Sequence, residues 1–179
     1  MIPWGRPVKK IEEVFELFQF SKIGKEKWTE FTFRSKKNKI SFEPFPKDLR
    51  LKLKQQTEEK DGLVGAAFIT DGIEGTIFYD PECTLGALLP LLFHEVVHSL
   101  DETLWRAAKL GCKSEHDRRE LHFASESRAY AAQHQFTLEM KKKFVGYEQF
   151  LMNTFPNIPF FHRALLPDEI GNLYRASST

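Results

Sequence analysis

The sequence LLPLLFHEVVHSLDETLW, residues 88–105, decides the fold expected for this chain. It contains the pattern H-E-x-x-H, formed by His94, Glu95 and His98. Residues four apart lie on one face of an α-helix, so both histidines can present ring nitrogens to one metal ion, with Glu95 beside the open coordination position. Apolar residues on both sides predict a buried helix, and burial supplies the dry cavity that a catalytic metal needs.

This pattern is specific enough to carry a functional hypothesis. From the histidine and glutamate content of the chain, about 0.02 accidental matches are expected. The alternative is that the two histidines only satisfy hydrogen bonds on an amphipathic helix. The apolar context favours a zinc site with its own general base.

A third ligand is needed, because hydrolytic zinc sites use three protein ligands and keep the fourth position for water. Asp101 and Glu102 continue the histidine stripe, but a rise of 1.5 Å per residue extends that stripe to about 10–12 Å, too far for one ion. The metal helix is expected to run on to residue 110, and Ser114 to cap a second, antiparallel helix. Such a hairpin runs about 18 Å out and about 16 Å back, which returns Glu126 to the level of the metal, while Glu120 falls short. Glu126 is therefore the predicted third ligand.

The HEVVH pattern, followed after a helical hairpin by E-x-x-A at residues 126–129, resembles the glutamate-zincins, the thermolysin-like metallopeptidases. The resemblance covers residues 72–130, and the rest of the chain matches no particular family. It implies a zinc ion bound by His94, His98 and Glu126, with Glu95 activating a water molecule. It also implies a small zincin-like domain in which a short β-sheet packs on the H-E-x-x-H helix and an antiparallel helix carries the third ligand.

The chain departs from the thermolysin pattern at one position near Glu126. Thermolysin has an aspartate four residues after its glutamate ligand, where it orients a histidine, and this chain has Tyr130. Asp101 is the best candidate to replace it. Tyr130 and His122 share a helix face with Glu126, so either could donate a hydrogen bond to an oxyanion, or simply pack in the core.

Two predicted strands precede the metal helix, at Ala66–Thr70 and Ile73–Tyr79, joined by an Asp71-Gly72 turn. The resemblance to glutamate-zincins implies that a strand in this position forms the edge to which an extended peptide adds, so Gly75–Tyr79 is a candidate for substrate binding. An ordinary hairpin strand packed on the helices is the alternative.

The remaining elements are read from periodicity and breaker residues. We predict helices at Val8–Phe20, Pro46–Lys60 and Tyr147–Asn153 and from Leu166 onward, strands at Glu30–Arg34 and Lys39–Phe42, and a loop at Phe155–Phe161.

Composition bounds the class of protein. The chain has 179 residues, 41% hydrophobic content and a net charge of +1, which is typical of a soluble globular chain and most simply of one domain, residues 1–179. The charge balance gives no reason to expect nucleic acid as a partner, and no apolar stretch is long enough for a membrane span. The N-terminus has no signal-peptide pattern, which favours a cytoplasmic location. Nothing in the sequence indicates an oligomeric state.

We therefore expect an α+β zinc metallopeptidase that hydrolyses peptide bonds in a peptide or protein substrate, with Zn2+ as cofactor. The main alternative is a noncatalytic protein that keeps zinc for stability or regulation, although a structural site has no need of the unligated Glu95. A second alternative is a regulatory protease that recognises one folded protein through exposed apolar surface such as Phe155–Phe161.

Overall fold

Helices and one small sheet make up the computed structural model, which describes residues 1–58 and 65–177, and the side chains of residues 1–52 and 65–173. This mixture confirms the coarse fold class that the sequence predicts. The elements in chain order are α1 (Glu12–Phe18), α2 (Lys22–Arg34), β1 (Ile40–Pro44), α3 (Lys47–Glu58), β2 (Ala66–Thr70), β3 (Gly75–Tyr79), α4 (Leu85–Ser99), α5 (Glu102–Leu110), α6 (Glu115–Lys143), α7 (Val145–Thr154), a 3-10 turn (Pro159–Phe161) and α8 (Pro167–Ser177).

Helix α4, which carries the H-E-x-x-H pattern, is buried along nearly its whole length, as its apolar sequence predicts. It packs between β2 on one side and α6 on another, with α1, α2 and α7 completing its surroundings. Pro90 lies inside this helix and has no N–H for the carbonyl of Gly86, four residues earlier. The hydroxyl of Tyr147, from α7, donates a hydrogen bond of 2.7 Å to that carbonyl.

The sheet has the order β1-β3-β2, with β1 parallel and β2 antiparallel to β3. The predicted hairpin is confirmed, and Gly72 adopts a φ of 94° in its turn, where the backbone of Lys109 lies too close for a side chain. The prediction that Gly75–Tyr79 forms a substrate-binding edge is wrong. That strand is β3, the centre of the sheet, so its hydrogen-bonding groups are used on both sides. Of the two hairpin strands, β2 packs more extensively on α4.

Two other local predictions are wrong. Residues 30–34 form the end of helix α2, because Trp28 and Phe31 stack at helical spacing with ring centroids 5.0 Å apart. Thr29, a strand-favouring residue, donates from its hydroxyl to the Lys25 carbonyl one turn earlier. In the stretch Phe155–Phe161, residues 159–161 form a 3-10 turn, and Phe160 and Phe161 are only 8% and 1% exposed, so these two rings offer no docking surface.

The helix that carries the H-E-x-x-H pattern also ends earlier than predicted. Helix α4 stops at Ser99, and α5 begins at Glu102 with Asp101 as its N-cap, so the predicted run to residue 110 is two helices. The indole N–H of Trp105 donates to the Ser99 carbonyl at 2.9 Å, which uses one acceptor that the break leaves free. The N-cap predicted at Ser114 is confirmed, because its hydroxyl accepts from Asp117 N–H.

Among the described residues, no helix combines the length and apolar character required to cross a membrane.

Candidate metal centre

Three side chains on two helices direct ligand atoms to one point. His94 and His98 lie one turn apart on α4, and their Nε2 atoms are 3.0 Å apart. Glu126, on α6, has Oε1 2.7 Å from His98 Nε2 and Oε2 3.4 Å from His94 Nε2. Glu126 therefore lies at the level of the histidines, as predicted, although the outgoing helix is broken after Ser99.

This donor set fits a transition metal such as zinc. Two imidazole nitrogens on a tetrahedral zinc ion lie about 3.3 Å apart, close to the observed separation. Two histidines and one carboxylate are the ligands of open, hydrolytic zinc sites, and the three residues together could hold such an ion.

The outer nitrogens of both rings have partners on α6. His94 Nδ1 lies 2.9 Å from Gln133 Oε1, and His98 Nδ1 lies 2.9 Å from Ser125 Oγ. A ring that donates from Nδ1 keeps the lone pair of Nε2 free, so this arrangement suits metal binding through Nε2. Both partners are almost fully buried.

Ser125 and Gln133 were not predicted from the sequence. They belong to a buried stripe on α6 that includes Ala129, with residues at intervals of four. Polar residues in such a stripe need hydrogen-bond partners, and the nearest polar groups on the facing helix are the two histidines. That spacing is the signal that could have identified them.

Glu95 is not part of the three-residue cluster and is hydrogen-bonded to the sheet. Its Oε2 accepts a hydrogen bond of 2.8 Å from the backbone N–H of Phe68, in β2. Burial raises the pKa of Glu95 to about 7, helped by the charge of Glu126 and opposed by His94 and the bond from Phe68. A carboxyl group with such a pKa can both take up and release a proton near neutrality.

The carboxylate of Glu126 stays ionised in this setting. Burial by itself would raise its pKa, but its interactions with His98 and His94, including hydrogen bonds with both rings, lower it well below its usual range. Its side chain is still 26% exposed, so solvent can reach the cluster.

Tyr130 lies against the cluster. Its ring meets His94 edge-on, with centroids 4.4 Å apart, and it also contacts Phe160. Burial raises the pKa of the Tyr130 hydroxyl, and the charges of Glu126 and Glu95 raise it further. The hydroxyl is therefore a neutral hydrogen-bond donor within the electrostatic reach of both acids.

Three other acidic or histidine residues that the sequence analysis considered are not part of the cluster. His122 is half-buried one turn before Glu126, and its pKa is lowered by burial and by Arg118, with an opposing effect of Glu126. Glu102 does not face the cluster, since it pairs with Arg34 at 2.6 Å. Glu120 is exposed on α6.

Asp101 does not contact either histidine directly, so the prediction that it orients them needs correction. Burial would raise its pKa, but hydrogen bonds from the side chains of Thr103, Arg128 and Ser125 lower it.

Searches against models of known protein families, curated proteins and solved structures find no match for this chain. The function has to be inferred from the residues of the site itself.

Proposed function

We propose that this protein is a zinc-dependent metallopeptidase that hydrolyses peptide bonds, with His94, His98 and Glu126 as the metal ligands. The observation that carries the proposal is the convergence of three ligand atoms, one from each residue, within 4.8 Å of one another, beside an acid, Glu95, that takes no part in the cluster. A structural zinc site has four protein ligands and no use for such an acid.

The three ligands would hold a zinc ion, which supplies the chemistry in hydrolases of this kind. When bound, the ion polarises a substrate carbonyl and lowers the pKa of water toward about 7. The residues around the ion would have separate roles, and the environment of each residue indicates its role.

Glu95 is the proposed general base. Its carboxylate takes a proton from the attacking water and returns it to the leaving amine, which requires a pKa near the working pH. Burial gives it a pKa of about 7. The hydrogen bond from Phe68 N–H holds the carboxylate in one orientation, so the Glu95 side chain does not have to change rotamer before it takes up a proton.

Tyr130 is the proposed donor to the oxygen that gains negative charge in the transition state. A phenol with a raised pKa stays protonated at neutral pH and can donate a hydrogen bond to that oxygen. Its ring is held between His94 and Phe160, which limits the motion of the hydroxyl.

A peptide substrate is favoured by the position of β2. Its Phe68 N–H points to Glu95 and away from β3, and in an antiparallel strand the carbonyl of the same residue points the same way. Because the Phe68 N–H is used by Glu95, an extended peptide would pair with the Phe68 carbonyl and the other outward-facing backbone groups of β2, while pockets beside the strand select its side chains.

The alternative is a noncatalytic site in which zinc, or a proton shared by His98 and Glu126, only holds α4 to α6. The test is the zinc content of protein purified without chelator, together with its cleavage of a diverse peptide library. We expect about one zinc per chain and cleavage that a chelator abolishes and added zinc restores. Absence of zinc would refute the metal site, and full occupancy without cleavage would favour the noncatalytic alternative.

A further inference from the structure

A cavity of about 270 Å³ lies between the end of helix α2, helix α5 and the turn of the β2–β3 hairpin. Asn38 lines it just beyond α2, Gly72 lines it from the turn, and Trp105 lines it from α5. The lining that the structure describes contains none of the three metal ligands and not Glu95. The cavity is therefore separate from the candidate metal centre.

The lining of this cavity is positively charged. Arg34, Arg106 and Lys109 contribute to it, and Glu102 is the one acid among the described lining residues, which leaves a net charge of +2. Glu102, Arg106 and Lys109 follow one face of α5 at helical spacing. Neither Arg106 nor Lys109 forms an ion pair with a described residue, and both are exposed. Their charges are therefore available to a ligand.

Arg34 is held in place without any ligand. Its Nη1 donates to the Leu100 carbonyl at 3.4 Å and to Glu102 at 2.6 Å. Its guanidinium carbon lies 5.2 Å from the centroid of the Trp105 ring. Because these contacts fix the guanidinium beforehand, a ligand would lose little free energy in ordering it.

The other edge of the same guanidinium lacks an acceptor. Arg34 Nε is buried and makes no hydrogen bond to a described group, and neither does Nη2. Nε and Nη2 together form a two-pronged edge of the kind with which arginine binds two oxygens of one anion. A buried donor without a partner is rare in proteins. An oxyanion in the cavity would supply the missing acceptors.

We propose that this cavity binds a phosphoryl group, either as inorganic phosphate or as a phosphate ester on a peptide chain. Such an ester carries a charge of about −1.5 to −2 at pH 7 and has three acceptor oxygens, which matches the charge and the three cations of the lining. A carboxylate carries about half that charge. Sites for drug-sized ligands have volumes of about 300–1,000 Å³, so this cavity suits one compact group rather than a whole nucleotide. The inference does not depend on the proposed metal site.

The test is an NMR titration of nitrogen-labelled protein with inorganic phosphate at constant ionic strength. The backbone N–H signals of Asn38 and Gly72 and the Nε–H signal of Arg34 should shift together and reach saturation. Arg106→Gln and Lys109→Gln should each weaken phosphate binding about 10-fold, because each removes one hydrogen bond to a charged group. Both side chains are exposed and unpaired among the described residues, so the variants should fold as wild type does.

Two control variants locate the bound anion. Lys113→Gln removes an exposed charge four residues after Lys109, from a side chain that does not line the cavity, and should bind phosphate as wild type does. His98→Ala should also bind phosphate unchanged, which separates this cavity from phosphate bound to a metal ion at the candidate centre.

A phosphoserine peptide and its unphosphorylated form distinguish the two sources of the phosphoryl group. Tighter binding of the phosphopeptide than of inorganic phosphate would assign the cavity to a phosphorylated segment, and the reverse would assign it to the free ion. No saturable shift in wild type, an equal loss in Lys113→Gln, or acetate binding as tight as that of phosphate would overturn the inference. Loss of binding in His98→Ala with retention in Arg106→Gln would also overturn it, because the anion would then lie at the metal.

Discussion

The backbone N–H of Phe68 donates a 2.8 Å hydrogen bond to Oε2 of Glu95, which ties the acid of the metal helix to strand β2. The bond uses one carboxylate oxygen, and the other can take a proton. The strand that orients the base is thus also the one proposed to bind the peptide, so base and substrate share one rigid frame.

Glu95→Gln should separate metal binding from catalysis. The amide keeps an oxygen that can accept from Phe68 N–H, so the fold and zinc content should be unchanged. Hydrolysis should fall by roughly 10² to 10⁴, the range for loss of a general acid–base group. The measurement is peptide cleavage by wild type and variant with zinc quantified in both, and equal rates would remove Glu95 from the mechanism.

The ligand set can be tested by metal content. His98→Ala and Glu126→Ala should each lower zinc occupancy strongly, because both side chains supply atoms to the cluster. Glu120→Ala and Glu102→Ala serve as matched controls on α6 and α5 and should keep full occupancy. Loss of zinc in Glu120→Ala, with retention in Glu126→Ala, would contradict the geometry described above.

Tyr130→Phe should remove only the proposed oxyanion donor. The ring contacts with His94 and Phe160 stay in place, so zinc affinity and stability should change little. Loss of one such donor lowers kcat by roughly 10² to 10³. Steady-state kinetics on one cleaved peptide decides the matter, and a change confined to KM would assign Tyr130 to substrate binding instead.

Removal of zinc should destabilise the wild type selectively. A ligand present at 100 times its Kd stabilises the folded state by about 2.7 kcal/mol. Chelator should therefore lower the Tm of wild type but leave that of His98→Ala unchanged, as followed by circular dichroism. An equal fall in both proteins would mean that the chelator acts elsewhere.

Tyr147→Phe should destabilise the fold, although Tyr147 is not part of the candidate metal site. The change leaves the Gly86 carbonyl, which Pro90 deprives of a helical partner, buried and unsatisfied. Such a group costs about 1 to 3 kcal/mol. Denaturant unfolding of the zinc-free protein measures the loss, and the aromatic contact with Trp4 should keep the variant folded. An unchanged unfolding midpoint would mean that the carbonyl finds another donor.

The sequence was informative where periodicity and a specific motif agreed. The metal helix, the β2–β3 hairpin and the Ser114 cap follow from local patterns, and the placement of Glu126 needed only helix rise and a chain reversal. The break after Ser99 did not disturb that placement, because the short α5 still leads out and α6 still returns alongside α4.

The errors arose where distant residues decide local structure. Residues 30–34 resemble a strand by composition, but the stacking of Trp28 on Phe31 fixes a helix. The position of β3 in the sheet depends on its pairing with β1, which lies more than thirty residues earlier and leaves no local signal. The partners of the histidines, Ser125 and Gln133, could be recognised only once α6 was known to face α4.

The bond from Tyr147 to Gly86 also has a consequence for the order of events during synthesis. The carbonyl released by Pro90 lies in the helix that carries His94 and His98, but its donor is translated after all three ligands. A chain that is still on the ribosome can therefore contain all three candidate metal ligands before α4, which carries two of them, has formed all its hydrogen bonds. The hydrogen bonding of α4 is therefore complete only once α7 has been added.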